Sequence, residues 1–271
     1  MDGYDTFLFV KYVHISRVIK MASVVQRIKE IKQPRGGYIN PNEFEVIQLD
    51  DGIELHPDEN IHSSTVGLAV DYLSRLQNGA SVEDAFKISI TGSVSIGQSA
   101  KAMKLINRIK GLDDESIKNA CKVVGYDVCY RAGTASYKPV EEINADENTV
   151  NNIRAMVNRG LKFFEEYGPV ILDGFTLEGG YTETVSTGDG DFITESTLWD
   201  FKVSVNKPSK DHTLQLLMYY LMGLRSKHAN TFKDLENLGI FNPRLNKVYL
   251  LDIEKIPENV IKEVSEIVIG Y

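Results

Sequence analysis

Two segments decide the fold of this chain. They are Gly188-Asp189-Gly190-Asp191-Phe192-Ile193 and Thr197-Leu198-Trp199-Asp200-Phe201-Lys202-Val203. The apolar and aromatic residues of each segment predict a short β-strand, whose side chains alternate between two faces. Leu198, Asp200 and Lys202 therefore share one face of the second strand. An acid and a lysine buried in an apolar strand would be costly without partners, so this pair predicts a functional site.

The two predicted strands contribute one carboxylate each, from Asp191 and Asp200. Two carboxylates on adjacent strands can hold Mg²⁺, which prefers oxygen ligands and keeps several waters. Lys202 is a movable point charge that can orient an attacking water or stabilise charge developing on a phosphate. Gln215 and Tyr219, four residues apart, share one face of the next predicted helix. Both can hydrogen-bond a phosphate or the groups of the metal site.

The rest of the chain predicts helices first and then a compact core of the order βββαβα. Helical patterns run from Val24 to the stop at Pro34, and recur at 63–77, 98–110, 113–122 and 147–167. Between them lie a predicted hairpin at 44–55, a strand at 125–131 and an acidic loop at 137–149. The core has predicted strands at 170–186, 190–194 and 197–205, a helix at 211–226, a strand at 247–252 and a helix at 257–268.

These patterns predict a single domain over 23–271, with a mainly helical part at 63–167 and a catalytic core at 168–271. Residues 1–22 are predicted to be a loose extension, and we hypothesise that Met21 is the natural start. The first residues have neither the basic start nor the cleavage site of a secretory signal. No apolar run reaches the ~18 residues of a membrane span, so no membrane is expected. Only two cysteines occur, which suggests a reducing compartment and predicts a cytoplasmic protein.

The charge balance limits the kind of partner. The chain has 38 acidic and 30 basic residues, a formal net charge of −8. A general nucleic-acid coating protein is excluded, because non-specific DNA affinity comes from Lys and Arg. Within 200–228 the sign reverses to +3, from five basic and two acidic residues, which suits a phosphodiester substrate. Lys207 and Lys210, in the loop 204–210, are therefore predicted to bind the substrate strand.

In this order and spacing, Gly188-x-x-Asp191, Asp200-Phe201-Lys202 and Gln215-x-x-x-Tyr219 resemble the motifs of the PD-(D/E)xK nucleases. The closest branch is the RecB-like exonucleases, a group that also includes the CRISPR-adaptation nucleases. The resemblance covers 165–228 well and 62–76 more weakly. It implies an α/β fold of the restriction-endonuclease-like type: a mixed central sheet flanked by helices, with a helical N-terminal region.

The same resemblance implies a Mg²⁺- or Mn²⁺-dependent deoxyribonuclease. It would be an exonuclease hydrolysing DNA phosphodiester bonds in repair, recombination or phage–host conflict, encoded by a bacterium or phage. Asp191 and Asp200 would bind the metal, and Lys202 would position or activate the water. Gln215 and Tyr219 would support the site and contact the substrate strand. The partners would be single- or double-stranded DNA and a recombination or helicase protein.

The chain departs from this family in three places. Relatives often have Gly-x-x-x-His on an upstream helix, where the histidine is a further metal ligand. The pattern here is Gly67-x-x-x-Asp71, which makes Asp71 the candidate ligand, since an aspartate also binds Mg²⁺ or Mn²⁺. The cluster of four cysteines found in several relatives is absent, so no iron–sulfur cluster is expected. The proline that usually precedes the first acid is also missing, as it commonly is in RecB-like members.

Other interpretations remain open for the strand motifs. Asp189 and Asp191 can belong to a Gly/Asp-rich turn between strands. Asp200 and Lys202 can form a surface ion pair on an edge strand, which would be worth little. As a whole, the chain can be an inactive nuclease-fold module that binds DNA or protein. It can also be a nuclease that cuts RNA or internal DNA sites.

The helical candidates have alternatives too. Gln215 and Tyr219 can be polar points on a core helix, and Asp71 can be a solvent-facing helix position. Further charged or titratable residues near the motifs are expected at the surface or in structural roles: Glu165, Glu166, Glu178, His212 and His228.

Overall fold

The structure, a computed structural model, describes residues 22–271. The predicted extension over 1–22, and with it the hypothesised start at Met21, lies outside the described residues except for Ala22. Ala22 pairs with Val185 in a short parallel ladder, so it belongs to the folded part of the chain.

Within 22–271 there are eleven α-helices. They are α1 (Val24–Glu30), α2 (Ser63–Gln77), α3 (Val82–Ala85), α4 (Lys87–Ser95), α5 (Ser99–Ile106), α6 (Asp114–Val124), α7 (Asp127–Arg131), α8 (Glu147–Tyr167), α9 (Lys210–Gly223), α10 (Ala229–Lys233) and α11 (Glu258–Glu263). A π-helical segment, Val264–Ile269, continues α11. None of these helices is long and apolar enough to cross a membrane.

Eight strands lie in the same range. They are β1 (Ala22–Ser23), β2 (Glu45–Gln48), β3 (Leu172–Thr176), β4 (Val185–Thr187), β5 (Asp189–Ile193), β6 (Thr197–Phe201), β7 (Asn237–Asn242) and β8 (Lys247–Asp252). β1 pairs with β4, and the other six form one sheet in the order β2-β8-β7-β6-β5-β3. β6 and β7 are parallel and every other neighbouring pair in this sheet is antiparallel. The central sheet is therefore mixed, as predicted, and β6 lies in its interior.

The two faces of the sheet pack against different helices. Leu198 of β6 lies in one hydrophobic cluster with Leu214 of α9. Trp199, the next residue, packs edge to face against Phe163 of α8, with ring centroids 4.8 Å apart. Because side chains alternate along a strand, Asp200 lies on the face of Leu198, toward α9.

The helices between β2 and β3 have a hydrophobic core of their own. α2 packs against both α6 and α8. Phe201 at the end of β6, and Val203 just beyond it, contact this helical core. The helical region is thereby held against the end of the strand that carries Asp200.

Several sequence predictions are confirmed. The helix predicted at 147–167 is α8 and the last strand at 247–252 is β8, both with the predicted bounds. α5, α6 and α9 lie within a few residues of the predictions, and helices flank the sheet on both faces.

The strand predicted at 125–131 is wrong, because this segment contains α7. Its one buried acid, Asp127, explains the difference. The carboxylate accepts hydrogen bonds from the Tyr72 hydroxyl and the Ser89 hydroxyl, both at 2.5 Å. An inward-facing acid that is satisfied by partners far along the chain cannot be recognised from local periodicity.

Three further predictions about strands need correction. The hairpin at 44–55 does not form, because β2 pairs with β8 instead of with 53–55. The long strand at 170–186 is divided into β3 and β4. β7 was not predicted at all, since a strand buried on both faces shows no alternation. Gly239 also weakens the strand signal, because glycine is disfavoured inside strands. The structure shows why glycine is needed there: the Trp199 ring lies over it.

We predict that Gly239→Ala destabilises the protein by about 1–3 kcal/mol, a typical cost of overpacking a core. A Cβ at this position would lie 2.3 Å from Cε3 of Trp199, a side chain that is fully enclosed. The measurement is the free energy of unfolding in urea. Gly111→Ala is the matched control, since a Cβ there meets no atom within 4 Å. Equal stabilities for the two variants would contradict the packing argument.

Candidate active site

The two candidate metal ligands face each other on neighbouring strands. The register that pairs Phe192 with Trp199 places Asp191 of β5 opposite Asp200 of β6. Asp191 is half-buried, and its Oδ2 accepts a hydrogen bond of 2.7 Å from the backbone N–H of Phe201. Asp200 is 2% exposed. The turn and edge-strand interpretations of these residues are therefore wrong, since both carboxylates lie on strands inside the sheet.

Lys202 completes this pair with a positive charge. Its Nζ donates a hydrogen bond of 2.6 Å to Oδ1 of Asp200. Burial opposes the charge on Lys202, but the Asp200 and Asp191 carboxylates outweigh it and raise the lysine pKa above its ordinary value. Without a bound metal the side chain is therefore an ammonium group that can donate hydrogen bonds.

The second oxygen of Asp200, Oδ2, is buried and has no hydrogen-bond partner among the described residues. A buried carboxylate oxygen without a donor costs free energy that folding alone does not recover. A divalent cation would satisfy this oxygen, because carboxylate oxygens are the ligands that Mg²⁺ and Mn²⁺ take. The donor set thus fits a hard divalent ion, with Asp191 as the second ligand.

Burial and neighbouring acids hold part of this site in its protonated form when no metal is bound. Burial, and then the Asp200 carboxylate, raise the pKa of Asp191 to about 8. Burial also raises the pKa of Asp71 to about 6, with Arg75 opposing and Asp173 adding to the shift. Asp71 is half-buried on α2, so it is not a solvent-facing position. Strongly shifted carboxyls of this kind cluster at functional sites.

α9 forms the wall of the site above the strands. The side-chain amide of Gln215 donates a 2.9 Å hydrogen bond to the Tyr219 hydroxyl. Burial raises the pKa of Tyr219, and the Asp200 and Asp191 carboxylates add to the shift, so the ring lies beside the pair. The two motif residues are thus brought together and placed at the site.

His212 also borders the site, although the sequence placed it outside. Burial lowers its pKa, and the charge of Lys202 lowers it further. The Ser209 backbone N–H donates to its Nδ1 at 3.2 Å, which orients the ring in the first turn of α9. The available signal was its position three residues after a capping serine.

The other candidates lie at the surface or pack elsewhere. Lys207 and Lys210 are exposed, in the loop before α9 and at its first residue. Glu178 pairs with Lys227 at 2.9 Å, and the His228 ring packs against Phe175. Glu165 and Glu166 are exposed positions of α8, as expected.

The described residues contain no group of three or more His, Cys, Asp or Glu side chains close enough to hold a metal ion. Asp191 and Asp200 form a pair, and Asp71 is not brought into a three-ligand group with them. Its role as a metal ligand stays a prediction. Two carboxylates are nevertheless a usual protein contribution to a Mg²⁺ site, because this ion keeps several waters and takes substrate oxygens.

Arg75 is a site residue that the sequence analysis missed. It lies one helical turn after Asp71 on α2, and its Nε and Nη2 are each 3.1 Å from Oδ2 of Asp173 on β3. The acids Asp71 and Asp191 both act on its charge. The available signal was the i, i+4 spacing from Asp71, which places both side chains on one face of the helix.

We predict that the metal-free protein loses stability as the pH rises. The pKa of Asp191 is raised from its ordinary 3.8 to about 8, so the fold favours the protonated carboxyl. Its contribution is complete below about pH 4 and is lost as the pH rises through 8. Mg²⁺ should therefore raise the melting temperature more at pH 9 than at pH 6. At pH 6 the cation must first displace the proton of Asp191.

Thermal unfolding at both pH values, with Mg²⁺ or with EDTA, measures this effect. Asp191→Asn should reduce both the pH slope and the Mg²⁺ shift, whereas Asp234→Asn, at an exposed position, should change neither. A Mg²⁺ shift that is the same in the wild type and in Asp191→Asn would contradict the assignment of this ligand.

Comparison with protein-family models, curated proteins and solved structures found no match. The site itself consists of two opposed carboxylates and one ammonium group: Oδ2 of Asp200 is buried and unpartnered among the described residues, and Oδ1 of Asp200 accepts a hydrogen bond from Lys202.

Proposed function

We propose that the protein is a divalent-metal-dependent deoxyribonuclease of the RecB-like exonuclease type, with a restriction-endonuclease-like fold. The observation that carries this proposal is the Asp200 carboxylate. One of its oxygens is bonded to the Lys202 ammonium group, and the other is buried and unpartnered opposite Asp191. This arrangement supplies a cation site and a fixed positive charge next to each other.

The order of the elements supports the proposal. The three motifs lie on β5, on β6 and its end, and on α9, and α9 leads to β7, which returns parallel to β6. A mixed sheet with helices on both faces is what the resemblance implies. The helices α2 to α8 lie between β2 and the other five strands of the sheet, so the helical region follows the first strand of the sheet in the chain.

Each side chain has a task that follows from its surroundings. When bound, a divalent cation lowers the pKa of a water and neutralises phosphate charge. Asp191 and Asp200 hold the cation. Lys202 is already protonated and donates hydrogen bonds, so it orients the attacking water or a phosphate oxygen. Gln215 and Tyr219 support the pair from α9.

The charge around the site supports a nucleic-acid substrate. The segment 200–228 is net positive in a chain of net charge −8. Lys207 and Lys210 are exposed there and free to contact a phosphate backbone. We propose DNA as the substrate, a role in repair, recombination or phage–host conflict, and a recombination or helicase protein as partner. Two buried free cysteines, Cys121 and Cys129, support a reducing, cytoplasmic setting.

We predict metal-dependent degradation of end-labelled single- or double-stranded DNA with Mg²⁺ or Mn²⁺, and none with EDTA. Asp200→Asn and Lys202→Ala should each lower the rate about 100-fold or more, since the first weakens the cation site and the second removes a positive charge beside the reacting phosphate. Lys255→Ala is the matched control, because Lys255 also pairs with an aspartate, Asp252, at an exposed position.

Circular dichroism must first show that each variant folds, because Lys202→Ala leaves Asp200 without its buried partner. Full activity in a folded Lys202→Ala variant would contradict the site. DNA binding that needs no metal, with no cleavage, would favour an inactive binding module instead. Covalently closed circular DNA should resist an exonuclease, and its cleavage, or cleavage of RNA, would change the proposed substrate.

A further inference from the structure

The guanidinium of Arg75 is held at the site by an acid outside the proposed metal-binding pair. Its Nε and Nη2 both contact Oδ2 of Asp173, while Nη1 makes no hydrogen bond to any described residue. The side chain is 25% exposed, so the group is partly desolvated and still accessible. One edge of the guanidinium is fixed, and the other edge has free N–H donors.

The backbone of β3 is shaped to receive this group. Gly174, next to Asp173, has a φ of +54°, and a Cβ there would lie 2.7 Å from Nη2 of Arg75. Only glycine adopts this conformation without strain and also leaves room for the guanidinium. Asp173 and Gly174 together therefore seat Arg75 over the edge strand of the sheet.

The formal charges of the site favour a contact between Arg75 and a phosphate. The site contains four acidic and two basic side chains: Asp71, Asp173, Asp191 and Asp200, with Arg75 and Lys202. When all six are ionised, their formal charges sum to −2. One divalent cation neutralises that charge. An incoming phosphodiester then meets two fixed cations, Lys202 from the sheet and Arg75 from α2.

We propose that Arg75 is a phosphate-binding residue, whose free N–H donors contact a backbone phosphate of the DNA at the candidate site. The inference rests on the proposed nuclease function and adds a substrate contact from the helical region to it. A guanidinium suits this contact because its planar fork donates two parallel hydrogen bonds to one phosphate.

A purely structural role for Arg75 makes a different prediction. If the ion pair only ties α2 to β3, then removing either partner should have the same effect. If Arg75 binds phosphate, Arg75→Gln removes the contact, whereas Asp173→Asn leaves the guanidinium in place. The two variants therefore separate the two roles.

The experiment measures binding of a labelled oligonucleotide to the full chain over a range of salt concentrations, with Ca²⁺ at a fixed concentration to supply the cation that offsets the acids. A gel of the same samples checks that the oligonucleotide stays intact. Arg75→Gln should weaken binding about tenfold. It should also reduce the slope of log K against log salt by about 0.7 for single-stranded or 0.9 for duplex DNA, the value of one phosphate contact. Arg75→Lys should keep most of the slope with weaker binding, and Asp173→Asn should keep the slope.

Arg154→Gln is the matched control. Arg154 also bridges two elements through an aspartate, Asp114, and is similarly exposed at 29%, but it lies on α8 and pairs with α6. It should leave the salt slope unchanged. Thermal melts identify any variant that does not fold. If Arg75→Gln does not fold, the weaker binding expected for Arg75→Lys is the result that tests the inference.

An unchanged salt slope in folded Arg75→Gln would overturn the inference. Equal losses of DNA affinity in Arg75→Gln and Asp173→Asn would overturn it too. In either case, cleavage by the wild-type protein would leave the nuclease proposal intact. A wild-type protein that neither binds nor cleaves DNA would overturn the nuclease proposal itself, and the Arg75 inference with it.

Discussion

Burial of the Asp200 carboxylate in an interior strand is the constraint on which the site depends. Taking a carboxylate out of water is costly unless its oxygens are paired. Lys202 pairs with one oxygen and leaves the other enclosed without a partner. The opposed Asp191 cannot relieve this as a second anion, since burial, and then the charge of Asp200, raise its pKa and disfavour its ionised form. A divalent cation resolves both difficulties, which is why this geometry points to metal chemistry.

The surrounding architecture keeps that carboxylate in place. β6 is hydrogen-bonded along both edges: it pairs antiparallel with β5 and parallel with β7. α9 covers the face that carries Asp200, while α8 covers the opposite face through Phe163 and Trp199. Close packing on both faces leaves little freedom for strand movement. The two carboxylates are thus presented by a rigid element, as a site with demanding geometry needs.

The helical region adds charged groups that the sheet does not contain. α2 is packed on α8, and it carries Asp71 and Arg75 toward the strands. Asp173 on the edge strand β3 meets Arg75 from the other side. The electrostatics of the site therefore depend on contacts between segments about a hundred residues apart in the chain. The local pattern places Arg75 on the helix face of Asp71, but it cannot reveal the contact with Asp173 on a distant strand.

The sequence by itself determined the bounds of α8 and β8 and placed Asp191 and Asp200 on two successive strands, because alternation and periodicity are local properties. The mixed central sheet was implied by the motif resemblance, and the register that sets the two acids opposite each other was decided by the tertiary structure. The sequence also predicted Gln215 and Tyr219 on one helix face. Only the tertiary structure decided that β6 is an interior strand, that 125–131 is helical and that β7 exists. Each of these depends on distant partners: the neighbours of β6, the hydroxyls around Asp127, and the two faces that bury β7. The free oxygen of Asp200 belongs to the same class, because a side chain's lack of partners is a property of everything packed around it.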